Sequence, residues 1–245
     1  MDGTPRNGPP LPCTPLTAPQ ARLIAEAFRP AQAWGSRRDY YYTRGKLGSD
    51  PLYDGVLQHL PDDGQPVLDL GCGLGLFAHV LRQRGGTQRY LGVDVDAGKI
   101  TRAQRAAADL HDVRFDCVDV QAPLPAQAGH VLLLDVLQYL DAGPQQALLR
   151  AASAQVAHGG RLLLRTPLAT GDGRDRTTRV ADRLDGHATA PLPRSAGIAD
   201  NACRSWIAGD RTPAAARAYP LQQLAAGGQT PRVVGPNPRP AVLLR

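Results

Sequence analysis

Apolar positions along the chain fall into two regimes. Before residue 61 they recur at helical spacing. One stripe holds Leu23, Ile24, Ala27 and Phe28 on a helix that starts near Pro19 and stops before Pro30. A second stripe, Leu52, Val56, Leu57 and Leu60, follows Ser49-Asp50-Pro51, which reads as a cap and first turn. Between them lies a polar, aromatic stretch from Arg37 to Lys46.

From residue 66 short aliphatic runs alternate with helical stretches. Strands are expected at 66–70, 90–95, 113–118, 131–134 and 161–165. Helices are expected at 75–84, 97–110 (capped by Asp96) and 144–157. Val131–Leu134 is aliphatic without interruption, as a parallel strand buried on both faces must be. This alternation predicts an α/β fold: a doubly wound, mostly parallel Rossmann-like sheet with helices on both faces.

The chain ends read differently. Residues 1–16 hold five prolines, and we expect a disordered tail there. Residues 17–60 are read as N-terminal helices and a lid, and 61–170 as the core. Residues 171–245 are rich in Arg, Ala, Gly and Pro. Leu221–Ala226 could form a short helix there, and Arg232–Val234 with Ala241–Leu244 a closing two-strand hairpin.

Composition narrows the function classes. The chain has 245 residues and a net charge of +6, but only two lysines and one glutamate, so arginine and aspartate set the balance. No basic run is long enough to favour nucleic acid as a partner. No apolar run reaches the roughly 20 residues of a membrane span, and the first twenty residues lack a secretory apolar block. Four scattered cysteines without a CxxC predict neither a zinc cluster nor a disulfide framework, which points to a reducing, cytoplasmic setting. The six histidines have no ligand spacing, so no metal is expected, and surface or packing roles are expected for each.

The chemistry concentrates in Val67-Leu68-Asp69-Leu70-Gly71-Cys72-Gly73-Leu74-Gly75, a strand-to-helix joint. Glycine tolerates positive φ in such a turn and leaves main chain bare for a ligand. The following helix start offers unpaired N–H groups. A dinucleotide fingerprint needs GxGxxG, but the place of its third glycine is Leu76, and the spacing is GxGxG. Asp94, ending Leu91-Gly92-Val93-Asp94, can accept hydrogen bonds from ribose hydroxyls, a device that NAD sites share; Asp96 is the better helix cap.

The segment resembles the first motif of Rossmann-like, class I S-adenosylmethionine (SAM) methyltransferases, (D/E)xGxGxG, with Asp69 in the acidic place. The likeness extends over about 52–166. It implies SAM as the cofactor, held by Asp69, Gly71, Cys72, Gly73, Gly75 and Asp94. It also implies an adenine contact from Asp119 (Asp116 being the rival) and the next backbone N–H, at Val120. Leu132–Leu140 resembles the family's fourth-strand motif, where Asp135 would meet the methionine side and Gln138 and Tyr139 the substrate mouth. Related enzymes often carry His at the place of Gln138, so a general base from that position is not implied here. The stretch Tyr41–Lys46 with Asp50–Tyr53 resembles a segment of bacterial methyltransferases linked to aryl-polyene or xanthomonadin-type pigments, with Tyr42 as a substrate contact and the aromatics as a lid. The expected activity is methyl transfer to a small molecule by in-line displacement. A nucleotide-fold binder without transfer activity and an NAD-dependent oxidoreductase are the alternatives.

Overall fold

In a computed structural model of the chain, residues 16–32, 34–166 and 241–244 are described. They fall into two units, one through Asp119 and one from Val120. Leu221–Ala226, Arg232–Val234 and the tail 1–15 lie outside the described residues.

The first unit begins with three helices, α1 (Ala18–Glu26), α2 (Arg38–Ser49) and α3 (Leu52–His59). Thr17 opens α1 with a capping box. Its hydroxyl accepts from the Gln20 N–H, and the Gln20 side chain accepts from the Thr17 N–H. The expected stripe on this segment is corrected in part. Ile24 and Phe28 are buried together with Ala21 and Ala25, whereas Leu23 is 61% exposed and Ala27 is also outside. The buried face is therefore rotated by about one position. α3 starts where the cap signal placed it, the Asp50 carboxylate accepting from the Leu52 N–H at 2.9 Å.

Helix α2 was not legible as a helix. Its twelve residues include two glycines, and only Tyr40, Thr43 and Leu47 are buried, too narrow a stripe to register as a periodic signal. It is held by α1, by Arg29 placed 5.0 Å above the Tyr40 ring, and by an Arg102–Asp39 ion pair at 3.2 Å.

Alternation follows: β1 (Val67–Leu70), α4 (Leu76–Gln83), β2 (Tyr90–Asp94), α5 (Ala97–Ala106) and β3 (Val113–Cys117). The strands are parallel, in the order β3-β2-β1, with Asp69 beside Gly92 and Gly92 beside Phe115. That register puts Asp69, Tyr90, Gly92, Asp94 and Phe115 on one face. β1 and β2 are buried throughout, as strands covered on both faces must be. Asp96 caps α5 as expected, accepting from the Lys99 N–H.

The second unit holds β4 (His130–Leu134), a short 3-10 helix (Leu137–Tyr139), α6 (Ala142–Ala154), β5 (Leu162–Arg165) and β6 (Ala241–Leu244). β4 pairs with β5 and β5 with β6, both in parallel. α6 begins after Asp141, ahead of the Pro144 expected from sequence, and Pro144 falls in its first turn where a missing N–H costs nothing. The α/β, mostly parallel, doubly wound Rossmann-like class expected from sequence is the one observed.

Candidate functional site

The joint between β1 and α4 is built from three left-handed glycines, Gly71 (φ 79°), Gly73 (φ 57°) and Gly75 (φ 71°). The Gly71 and Cys72 N–H groups both donate to the Val93 carbonyl, at 2.7 and 3.0 Å, which ties the loop to the end of β2. The Gly75 N–H returns to the Cys72 carbonyl at 2.9 Å.

The glycines do different jobs. A Cβ on Gly75 would lie 2.3 Å from Cζ of Phe115, and one on Gly92 would lie 2.7 Å from Cδ1 of the same ring and 2.8 Å from Cys72 Sγ. Gly75 and Gly92 are therefore bare because Phe115 fills the space beneath the loop. Gly73 meets nothing within 4 Å. It is the position where the loop presents open main chain.

Asp94 fixes that opening. One carboxylate oxygen accepts from the Gly73 N–H and the other from the Asp96 N–H, each at 2.9 Å. An N–H bond to each oxygen leaves lone pairs for further donors. Asp94 is thus a clamp between the loop and the end of β2, a structural role the sequence did not reveal.

Asp69 sits deeper. It is 2% exposed, and its Oδ2 accepts from the Tyr90 hydroxyl, while Oδ1 has no hydrogen-bond partner among the described residues. Burial raises its carboxyl to about 7, opposed by the Tyr90 bond and assisted by the nearby Asp94 charge. Burial likewise pushes the Cys72 thiol up, so it is a packing sulfur and not a thiolate. Tyr90 is the site residue that sequence reasoning missed. It contacts Phe115 and Phe77 at centroid distances of 5.9 and 6.5 Å and anchors Asp69 from β2. Period-two alternation through Tyr90, Gly92 and Asp94 was the signal available for it.

At the end of β3, the rival Asp116 is committed to Arg114 through both oxygens, at 2.9 Å each. Asp119 is exposed two residues past the strand, and the Val118 N–H before it donates to the Asp94 carbonyl at 3.0 Å. Val120 is half-buried and opens the second unit.

In the second unit, Asp135 follows β4 with φ 57°, a conformation rare for a non-glycine residue and concentrated at functional sites. Its N–H donates to the Arg165 carbonyl at 2.8 Å, and its carboxylate pairs with Arg165 Nε at 3.2 Å. Gln138 is 4% exposed, with Oε1 lacking a partner among the described residues, and Tyr139 is half-buried in the same 3-10 turn. Tyr42 stands exposed on α2. The structure thus groups Asp69, Gly71, Cys72, Gly73, Gly75 and Asp94 in the first unit and Asp135, Gln138 and Tyr139 in the second. Among the described residues no cluster of three His, Cys, Asp or Glu could hold a metal ion, and no helix is long and apolar enough to cross a membrane.

Residues 67–160 match a family model described as a methyltransferase domain. A carboxy-S-adenosyl-L-methionine synthase of Helicobacter pylori strain HPAG1 is 30% identical over 51% of this chain and 52% of its own length. A ribosomal protein L11 methyltransferase of Janthinobacterium sp. is 33% identical over 62% of this chain and 46% of its own. The chain spans about half the length of these curated relatives. Among solved structures, the magnesium protoporphyrin IX methyltransferase of Synechocystis PCC 6803, with bound SAH, aligns at a TM-score of 0.50 and 15% identity, over 78% of this chain and 84% of that one.

Proposed function

We propose that this chain, with its methyltransferase-domain match over 67–160, transfers the methyl group of SAM to a small-molecule acceptor by in-line displacement. The observation that carries the reading is the Gly73 opening. Its main chain is bare, whereas Gly75 of the same loop and Gly92 of β2 are explained by Phe115, and Asp94 fixes its N–H. Support against a diphosphate ligand comes from residue 76. A dinucleotide loop keeps glycine there for close helix–strand packing, whereas here Leu76 opens α4 as a buried, 5% exposed side chain.

These residues fit an adenosyl amino acid. In the first unit Asp94 keeps acceptor capacity for ribose hydroxyls, Asp119 suits the adenine edge and the Gly71–Gly75 backbone suits the amino-acid end; in the second, the Val120 N–H and Asp135 are the positions the resemblance assigns to the adenine and the methionine side. SAM supplies an activated methyl group on a sulfonium. What the chain would contribute is placement of the methyl group in line with the acceptor, and orientation of this sort is worth roughly 7–11 kcal/mol. No acid–base pair is required when the acceptor is already nucleophilic. Gln138 and Tyr139 are the acceptor-side contacts in this reading, with Gln138 Oε1 free to accept from a donor on the substrate. The α2 segment Tyr41–Lys46 carries the finer reading, an acceptor of the kind met in pigment pathways.

The test is calorimetric titration with SAM, SAH and NAD, followed by incubation with labelled SAM and phenols, carboxylic acids or ribosomal protein. SAH binding with NAD inert, and label in a small molecule, supports the proposal. NAD binding in place of SAH, or label only in protein, overturns it.

A further inference from the structure

Helices α1 and α2 leave an open-sided groove of about 440 Å³, lined by Ala18 and Ala21 from α1 and by Tyr41, Arg44, Gly45, Gly48 and Ser49 from α2. Ligand clefts span about 300–1,000 Å³, so a small molecule fits. The five α2 residues stand at i, i+3, i+4, i+7 and i+8, a single stripe along the helix.

The two glycines need an explanation. A glycine within a helix costs about 1 kcal/mol relative to alanine, and it usually answers a packing or functional need. Neither reason of packing applies. A Cβ at Gly45 or at Gly48 would meet nothing within 4 Å, and neither residue has a positive φ. What their missing side chains preserve is the groove.

The rim is chemically specific. Arg44 makes no ion pair or hydrogen bond among the described residues. The carboxylates of the same helix and its end are taken, Asp39 by Arg102 at 3.2 Å and Asp50 by Lys46 at 2.7 Å. A lone guanidinium matches one carboxylate through two parallel hydrogen bonds. Tyr41 is 58% exposed and is held edge-on by Tyr40, with centroids 5.1 Å apart and planes at 82°, so its ring is oriented without being covered. A fixed aromatic ring beside an alanine and glycine floor suits a flat, apolar body.

We propose that this groove binds a small organic carboxylate with a flat apolar body, its carboxylate on Arg44 and its body along Tyr41, Gly45 and Gly48. None of these residues belongs to the glycine-loop site; Tyr41, Arg44 and Gly45 do fall in the Tyr41–Lys46 segment read above on the acceptor side, but the groove, its glycines and Arg44 stand as observations without that reading.

The experiment titrates the full chain with trans-cinnamate, 4-hydroxybenzoate, the neutral cinnamamide and inorganic phosphate, with SAH in parallel. One or both acids should bind saturably, and cinnamamide at least about tenfold more weakly than cinnamate. Arg44→Gln, a change on the exposed surface, should weaken the acid by a similar factor. Gly48→Leu should fill the groove and abolish acid binding while raising Tm, because it removes a helix glycine. SAH binding should be the same in all three proteins. The proposal is overturned if no acid binds more tightly than about 1 mM, if phosphate competes equally well, or if both variants bind acid like the parent.

Discussion

Two buried titratable side chains in the first unit should pull the pH dependence of stability in opposite directions. Asp69 has its carboxyl raised to about 7 in the fold. Between about pH 4 and pH 7 the folded state therefore holds a proton that the unfolded state has lost, and stability falls as pH rises. His79, packed on Phe28 with ring centroids 5.0 Å apart, is lowered to about 4 by burial. From its ordinary 6.5 down to about 4 the unfolded state binds the extra proton, and stability falls as pH falls. The slopes offset each other in the parent protein. Asp69→Asn keeps an acceptor for the Tyr90 hydroxyl and should expose the His79 slope, with urea midpoints rising from pH 4 to pH 6.5. His79→Phe should expose the opposite slope over the same window. Identical pH profiles for the two variants would refute both assignments. Also at this scale, Asp94→Ala should weaken SAH binding by about 1.5–3 kcal/mol, the usual worth of a hydrogen bond to a charged group. Because Asp94 also clamps Gly73, the variant should show faster exchange of the Gly73 amide, a change that loss of a ribose contact alone would not cause.

At the scale of elements, the β1–α4 joint depends on one ring. Gly75→Ala combines a left-handed backbone, costing about 1–2 kcal/mol, with a collision against Phe115 worth about 1–3 kcal/mol more. Gly73→Ala carries the backbone cost alone, since its Cβ meets nothing. Denaturant unfolding should therefore separate them, Gly75→Ala being the less stable, while Gly73→Ala should lose more SAH affinity than stability. Phe115→Leu should recover part of the Gly75→Ala loss, since it withdraws the ring atoms in the way. The mainstay at the other end of α4 is Arg82, which donates to the carbonyls of Gly86, Gln88 and His111 at 2.7–3.0 Å. Desolvation lowers its pKa without discharging it. Arg82→Ala should leave three carbonyls short of a donor and cost about 1–3 kcal/mol, read as a lower urea midpoint with SAH affinity retained.

For the whole molecule, the reading is one of binding linked to folding. A ligand present at a hundredfold its Kd adds about 2.7 kcal/mol to stability, so SAH should raise Tm by several degrees. NAD should leave Tm where it was. Any further rise from an organic acid should add to that of SAH if the α1–α2 groove is a separate site, and additivity of the two shifts is the measurement that checks it.

The sequence by itself determined the alternation of strands and helices, because a buried parallel strand must be aliphatic and an amphipathic helix must repeat near 3.6 residues. Val131–Leu134 and the Asp96 cap are examples. It also placed GxGxG at a strand-to-helix joint and an acid at the end of β2, since local turn chemistry leaves local traces. Tertiary structure alone decided which glycine serves which purpose. Gly75 and Gly92 are both answers to Phe115, a residue separated from them in sequence and brought alongside by the β2–β3 register. Register likewise set Tyr90 against Asp69, and with it the raised carboxyl. Helix α2 was hidden for the same reason in reverse: only three of its side chains are buried, so too little of its pattern was written in hydrophobicity, and packing on α1 supplied what the sequence did not.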